Sequence, residues 1–211
     1  MPGTTTNPSP NKAIVQHFNP NDMPEQKENT LYTVTVYTEN QVGILNQISI
    51  IFTRRNLNIW SLSVSSSAIE GVHKFTIACR TDLKTIETVV RQIEKRIDVL
   101  KAFYYTDNEI IYQEVALYKV QTDNILESPD FEELVRRNNA QILEINRTYT
   151  VLQKTGHCDE TRRLYDELAP YGVLQFVRSG RVAITKSTVE RVSRFIELQQ
   201  IRAEKARLAE D

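Results

Sequence analysis

The residues of this sequence with the clearest capacity for chemistry form a polar turn, Asn40-Gln41-Val42-Gly43. The turn follows an alternating segment, residues 31–36, that is typical of a strand, and precedes apolar residues at helical spacing within 44–52. A helix start offers unpaired N–H groups and a positive dipole end, and a glycine there lets a small anion approach the backbone. We hypothesise that the turn holds the carboxylate of a free amino acid. Taken alone, however, the stretch favours an ordinary capped helix start.

Other reactive side chains form no recognisable centre. His157-Cys158-Asp159 could supply metal ligands, but a tetrahedral site needs about four and no second cluster has suitable spacing, so we interpret the run as a loop and helix cap. Two cysteines, Cys79 and Cys158, do not make a disulfide framework. No glycine-rich phosphate motif and no nucleophile-base arrangement stands out, although a triad assembled in space leaves no such signature.

Composition narrows the class of protein. With 211 residues the chain can form one large domain or two small ones. A net charge of -1 gives no basic field for nucleic acid. The sequence has no apolar run near the ~18 residues that span a bilayer and no pattern of a signal peptide. We therefore expect a cytoplasmic protein that binds neither nucleic acid nor membrane.

The first half of the chain predicts one compact unit. Residues 1–30 are rich in proline and polar residues, which indicates a flexible tail. Residues 31–107 then alternate between strand and helix patterns in the order β-α-β-β-α-β, which is the ferredoxin-like arrangement. Its second helix is predicted to be capped by Asp82 and to carry an apolar face from Leu83 to Ile97. The sheet face away from the helices carries Tyr37 and Phe103, so we expect a partner there.

The second half repeats the same order over residues 108–187, and a helix is predicted for residues 188–211. The predicted fold class is therefore α+β, with two ferredoxin-like βαββαβ domains in tandem, a flexible N-terminal tail and a C-terminal helix.

Five stretches of the sequence resemble the acetolactate synthase (acetohydroxyacid synthase) small-subunit family, which is built on ACT domains. They are residues 35–45 (TVYTENQVGIL), 54–62 (RRNLNIWSL), 95–101 (KRIDVLK), 114–120 (EVALYKV) and 177–180 (VRSG). The first is shared by many ACT domains, whereas the set in this order is specific to the family. The resemblance covers about residues 31–187. It implies an N-terminal ACT domain for effector binding and dimerisation, followed by an ACT-like regulatory-subunit domain.

The resemblance also implies a function without a catalytic centre. Such chains bind and activate the catalytic large subunit, which condenses two pyruvates to 2-acetolactate and CO2 in valine, leucine and isoleucine biosynthesis. They confer feedback inhibition by a branched-chain amino acid, most often valine. Thiamine diphosphate and Mg are then expected on the catalytic subunit, and no cofactor on this chain.

The resemblance assigns an effector site by position. Asn40 and Gly43 match the family's asparagine and glycine in the first loop, and Ile44 and Leu45 match residues whose backbone N–H groups face the ligand carboxylate. Asn58 and Ile59 match a pair expected to meet the ligand from the neighbouring chain of a homodimer. The full predicted site is Asn40, Gly43, Ile44, Leu45, Asn58 and Ile59.

Three alternatives use the same topology. An RNA-binding RRM-like module needs aromatic residues at fixed places on its central strands and a basic surface, and the third strand lacks that pattern. A free-standing ACT amino-acid sensor of another enzyme fits the first domain equally well. A catalytically active member of the fold would need an acid-base pair, and none is visible.

Overall fold

The computed structural model describes residues 29–126 and 128–188, together with Phe195. The predicted flexible tail up to residue 28 lies outside these ranges, and Thr30 already belongs to the first strand. The predicted C-terminal helix also lies outside them, apart from Thr188 and Phe195.

The first unit is a four-stranded antiparallel sheet with two helices. Its elements are β1 (Thr30–Glu39), α1 (Ile44–Thr53), β2 (Ile59–Ser66), β3 (Val72–Thr81), α2 (Leu83–Ile93) and β4 (Val99–Thr106). The strands lie in the order β2-β3-β1-β4. This order confirms the predicted ferredoxin-like unit, in which each helix crosses between strands that are not adjacent.

The core of this unit lies between the sheet and the two helices. Alternation along β1 turns Val34 and Val36 inward, and both side chains are completely buried. Ile48 and Phe52 of α1 pack into the same cluster, together with residues of α2. The predicted apolar face of α2 is wrong at its ends. α2 stops at Ile93, so Ile97 lies in the following turn with its side chain 98% exposed.

The second unit repeats the arrangement and adds a strand. Its elements are β5 (Ile110–Gln121), α3 (Thr122–Leu126), α4 (Phe131–Arg137), β6 (Gln141–Ile145), β7 (Tyr149–Gly156), α5 (Cys158–Leu168), β8 (Val173–Arg178) and β9 (Val182–Thr185). Four strands lie in the order β6-β7-β5-β8, and β9 pairs antiparallel with the start of β5. The predicted α+β fold with two ferredoxin-like units is thus confirmed over the described residues.

The core of the second unit centres on Tyr118 of β5, whose side chain is completely buried. Its hydroxyl donates a 2.6 Å hydrogen bond to the Thr161 carbonyl on α5. Leu152, Leu164 and Leu168 complete the packing between sheet and helix. Since a buried hydroxyl without a partner costs about 1–3 kcal/mol, this hydrogen bond fixes the position of α5 on the sheet.

The helix-free face of the first sheet is covered by β9 and by residues 179–181, which precede it. Lys74 Nζ on β3 donates a 2.6 Å hydrogen bond to the Ala183 carbonyl. Gly180 lies against β2 so closely that a Cβ there would be 2.7 Å from the Leu62 carbonyl oxygen. Tyr37 and Phe103 contact each other edge to face, with ring centroids 6.5 Å apart, and both are half-buried. Part of the face that we expected to need an external partner is therefore covered by the second unit of the same chain.

Candidate functional site

The polar turn after β1 is held at both sides by backbone hydrogen bonds. The Glu39 N–H donates to the Asp98 carbonyl at 2.9 Å, and the Asn40 N–H donates to the Gly71 carbonyl at 3.2 Å. Gly43 then ends the turn with φ +89°, a left-handed backbone conformation that residues other than glycine rarely adopt. The backbone path into α1 is therefore set by glycine.

No described side chain caps the N–H groups at the start of α1. The N-cap residue, Gly43, has no side chain that could accept a hydrogen bond, and the first turn of α1 has no acidic residue. The Ile44 N–H makes a long 3.5 Å contact with the Gln41 carbonyl. In α2, by contrast, the predicted cap Asp82 accepts a 2.9 Å hydrogen bond from the Thr85 N–H. α1 thus presents a positive helix end that the described residues do not neutralise.

The side chains around this helix end divide into two groups. Val42 is fully exposed and Leu45 is 44% exposed, so both offer apolar surface beside the exposed Asn40. The Ile44 side chain is buried and belongs to the core cluster. Only the backbone of Ile44 can therefore contact a bound molecule, as the predicted site requires.

The remaining two predicted site residues lie at the opposite end of the sheet. Ile59 pairs with Cys79 of β3, which pairs in turn with Tyr32 of β1. Glu39 lies seven residues further along β1, which at about 3.4 Å per residue is roughly 24 Å away. Within one chain the structure brings together Asn40, Gly43, Ile44 and Leu45, but not Asn58 and Ile59.

A buried ionic cluster that was not among the predicted site residues joins the two units. Arg181, 3% exposed, donates hydrogen bonds from Nη1 to Asp107 Oδ1 at 2.8 Å and to Thr33 Oγ1 at 3.2 Å. Its guanidinium also lies 3.9 Å from the centroid of the Tyr112 ring and 3.7 Å from Glu114 Oε1. Alternation along β5 could have indicated that Glu114 is buried, because Glu114 lies on the same inward-facing side of the strand as Ala116 and Tyr118.

The electrostatics of this cluster are those of a structural joint. Glu114 is 2% exposed, and its Oε2 lies 3.1 Å from Arg178 Nε. Burial raises the pKa of Glu114, while the guanidinium groups of Arg178 and Arg181 act in the opposite direction. Removing one member would leave a buried charge without compensation, so the cluster holds the two units in register.

The run His157-Cys158-Asp159 lies where α5 begins. The His157 N–H donates a 2.7 Å hydrogen bond to Glu160 Oε2, which caps the helix, and the imidazole contacts the Tyr112 ring. Throughout the part of the chain that the structure describes, no three His, Cys, Asp or Glu side chains are grouped to hold a metal ion. In the same part, every helix is too short or too polar to cross a bilayer.

Comparisons with known proteins agree with this architecture. A family model for the AHAS small subunit-like ACT domain matches residues 34–101, and one for the small subunit of acetolactate synthase matches residues 113–187. Together they cover more than half of the chain.

Curated relatives and a solved structure match over most of their length. The acetolactate synthase small subunit of Bacillus subtilis is 29% identical over 161 residues, 76% of this chain and 93% of the relative. The probable small subunit of Archaeoglobus fulgidus is 28% identical over 155 residues, 74% of this chain and 96% of the relative. The crystal structure of the Thermotoga maritima small subunit has a TM-score of 0.68 at 25% identity, with 75% of this chain and 99% of that one covered. The chain therefore belongs to the acetolactate synthase small-subunit family.

Proposed function

We propose that the chain is the regulatory subunit of acetolactate synthase and that it carries out two tasks. It activates the catalytic subunit, and it confers feedback inhibition by a branched-chain amino acid, valine in the first instance. The observation that carries the proposal is the start of α1, where Gly43 opens an uncapped helix end beside exposed polar and apolar side chains. That arrangement suits the carboxylate and the side chain of a small amino acid.

The effector carboxylate would accept hydrogen bonds from the N–H groups of residues 43–45. Each charge-assisted hydrogen bond contributes about 1.5–3 kcal/mol, and the helix dipole adds to it. The aliphatic side chain of the effector would cover Val42 and Leu45, which are exposed in a single chain. Because one methylene changes binding by only about 1–3 kcal/mol, discrimination among valine, leucine and isoleucine is modest in this site.

The second half of the effector pocket would come from another copy of the chain. β2 lies at an edge of the first sheet, so two copies can pair through β2 about a two-fold axis. In such an antiparallel pair, the start of one β2 lies beside the end of the other. Ser66 at that end pairs with His73, which pairs with Thr38 just before the effector loop. This dimer therefore supports a pocket in which the Asn58 side chain of one copy meets a ligand on the loop of the other.

Signal transfer to the catalytic subunit follows from this geometry. A ligand held between two copies favours one dimer arrangement by its differential affinity, and a catalytic partner attached to the dimer senses the shift. Thiamine diphosphate and Mg belong to the catalytic subunit in this proposal, and the complex is placed in the cytoplasm.

Reconstitution with the catalytic subunit of the same organism tests the proposal. Acetolactate formation is measured with and without this chain, and then with valine, leucine or isoleucine at millimolar concentration. We expect the chain to raise the rate and one of the three amino acids to lower it again. A rate that responds to neither the chain nor any of the amino acids would refute the proposed function.

A further inference from the structure

A basic cleft lies between the C-terminal ends of α1 and α2, on the helix layer of the first unit. It has a volume of about 580 Å³. Its lining residues are Ile51, Arg54, Arg55, Gln92, Lys95 and Arg96. This layer faces away from the sheet surface that β9 and residues 179–181 cover, and none of the described lining residues belongs to the second unit.

The cations of the cleft differ from their neighbours because no described residue gives them an acidic partner. Nearby, Lys101 lies 2.6 Å from Glu94 and Arg91 lies 3.5 Å from Glu87. Within residues 29–126 and 128–188, no carboxylate lies within 4.0 Å of the four cations of the cleft. Arg55 Nε instead donates a 3.1 Å hydrogen bond to Gln92 Oε1, which joins the two helices.

Helix polarity explains only part of this charge. A cation near a helix C-terminus is stabilised by about 0.3–1 kcal/mol through the negative end of the helix dipole. One cation per helix would be enough for this interaction. The cleft gathers four in a chain whose net charge is -1. Such a local excess of positive charge is complementary to an acidic surface.

The side chain next to the cleft indicates the kind of partner. Ile97 directly follows Arg96 and is 98% exposed, although it lies beside a well-packed core. Because the core of a protein interface is apolar and arginine is enriched in interfaces, an exposed aliphatic side chain beside arginines suits such a contact. A small anion would gain nothing from Ile97, whereas a protein segment would bury it.

We propose that the basic cleft and Ile97 together dock an acidic segment of the catalytic subunit. The proposal rests on the proposed function, because it names the surface through which that regulation would act. Carboxylates of the segment pair with the cations of the cleft, and an apolar side chain beside them covers Ile97.

The position of the cleft links it to both halves of the effector pocket. α1 runs from Gly43 at the effector loop to Arg54 at the cleft, and ten residues of helix span about 15 Å. Asn58 of the same chain follows Arg54 by four residues and belongs to the other half of the pocket. A shift of α1 against α2 on effector binding therefore changes the spacing of the cations that the catalytic subunit contacts.

Charge reversal in the cleft tests the docking surface. The full-length double variant Arg54→Glu/Lys95→Glu is titrated against the purified catalytic subunit at about 50 mM and about 500 mM salt. We expect binding at low salt to weaken about tenfold or more and its salt dependence to fall. Arg91→Glu is compared with the single variant Arg54→Glu as its matched control, since both change the charge equally and Arg91 lies on α2 but outside the cleft. Ile97→Ser is expected to weaken binding without changing the salt dependence, and its exposure makes misfolding no explanation.

Three outcomes separate the hypotheses. If the parent chain binds the catalytic subunit, and Arg54→Glu/Lys95→Glu and Ile97→Ser bind it equally well, the docking surface is wrong while the proposed function stands. If the parent chain does not bind at all, the proposed function itself is wrong. If inorganic tripolyphosphate stabilises the parent chain but not the double variant, and affinity for the catalytic subunit is unchanged, the cleft is a small-anion site and the docking proposal is overturned.

Discussion

Replacing Gly43 with aspartate should remove feedback inhibition and leave activation intact. The backbone at Gly43 has φ +89°, and a Cβ there would meet none of the described residues within 4 Å. The new carboxylate therefore has room, and aspartate is among the side chains that tolerate the left-handed region best. It would project beside the N–H groups that the effector carboxylate is proposed to use.

The size of the effect follows from Coulomb's law. Two carboxylates about 5 Å apart repel by about 3 kcal/mol at an effective dielectric constant of about 20. The loop is exposed, so solvent and salt reduce this to about 1–2 kcal/mol, which is a loss of about 5- to 30-fold in effector affinity. Folding stability should barely change. Left-handed strain of about 1 kcal/mol is offset by the favourable position of an acid at a helix N-terminus.

The matched control is Gly43→Asn, which has the same shape and a similar tolerance for positive φ but no charge. Inhibition curves for valine, leucine and isoleucine are recorded with the reconstituted enzyme for both variants. The aspartate variant should shift the inhibiting concentration well beyond the asparagine variant, with equal activation. Overlapping curves for the two variants would refute the placement of the effector carboxylate at this helix start.

Three further predictions concern the fold, and chemical or thermal denaturation measures each. Ile48→Ala should cost about 2–5 kcal/mol because that side chain is completely buried, whereas Ile97→Ala should stay within about 0.5 kcal/mol of the parent; equal losses would contradict the packing. Asp82→Ala should lower the melting temperature by a few degrees. The cap hydrogen bond lowers the pKa of Asp82 below its ordinary 3.8, so the stabilisation from the cap is present above pH 3.8. As pH falls further, the carboxylate is protonated and the stabilisation is lost, and the difference between the parent chain and Asp82→Ala disappears with it. Arg181→Met should cost about 3–5 kcal/mol, and adding Glu114→Gln should recover part of it; strictly additive losses would argue against coupling.

Local patterns predicted the elements that bear the candidate site. The three- and four-residue spacing from Ile86 to Ile93 predicted α2, and alternation along residues 31–36 predicted β1 to within one residue at its start and three at its end. The prediction failed at Ile97 because helical spacing continued past the point where the helix ends. Periodicity describes which face a residue would occupy, but not whether the helix still exists there.

Contacts between distant parts of the chain could not be predicted in this way. The hydrogen bond between Arg181 and Thr33 joins residues 148 positions apart, and no local pattern encodes it. The resemblance placed Asn40 and Asn58 in one site, yet strand register puts them at opposite ends of one sheet. The assignment of these residues to a shared pocket stays a prediction that depends on a second copy of the chain.

The same long-range contact has a consequence for protein synthesis. A ribosome adding about 5–20 residues per second needs roughly 7–30 s to proceed from Thr33 to Arg181. During that interval the helix-free face of the first sheet is exposed to solvent, because residues 179–181 and β9, which will cover it, have not been synthesised. Thr33, Thr35 and Thr76 on that face are buried in the finished chain, yet their hydroxyls bond readily to water. With threonines at these positions, the nascent first unit exposes a polar surface until the second unit is synthesised. Valines at the same three positions would instead expose an apolar, aggregation-prone surface.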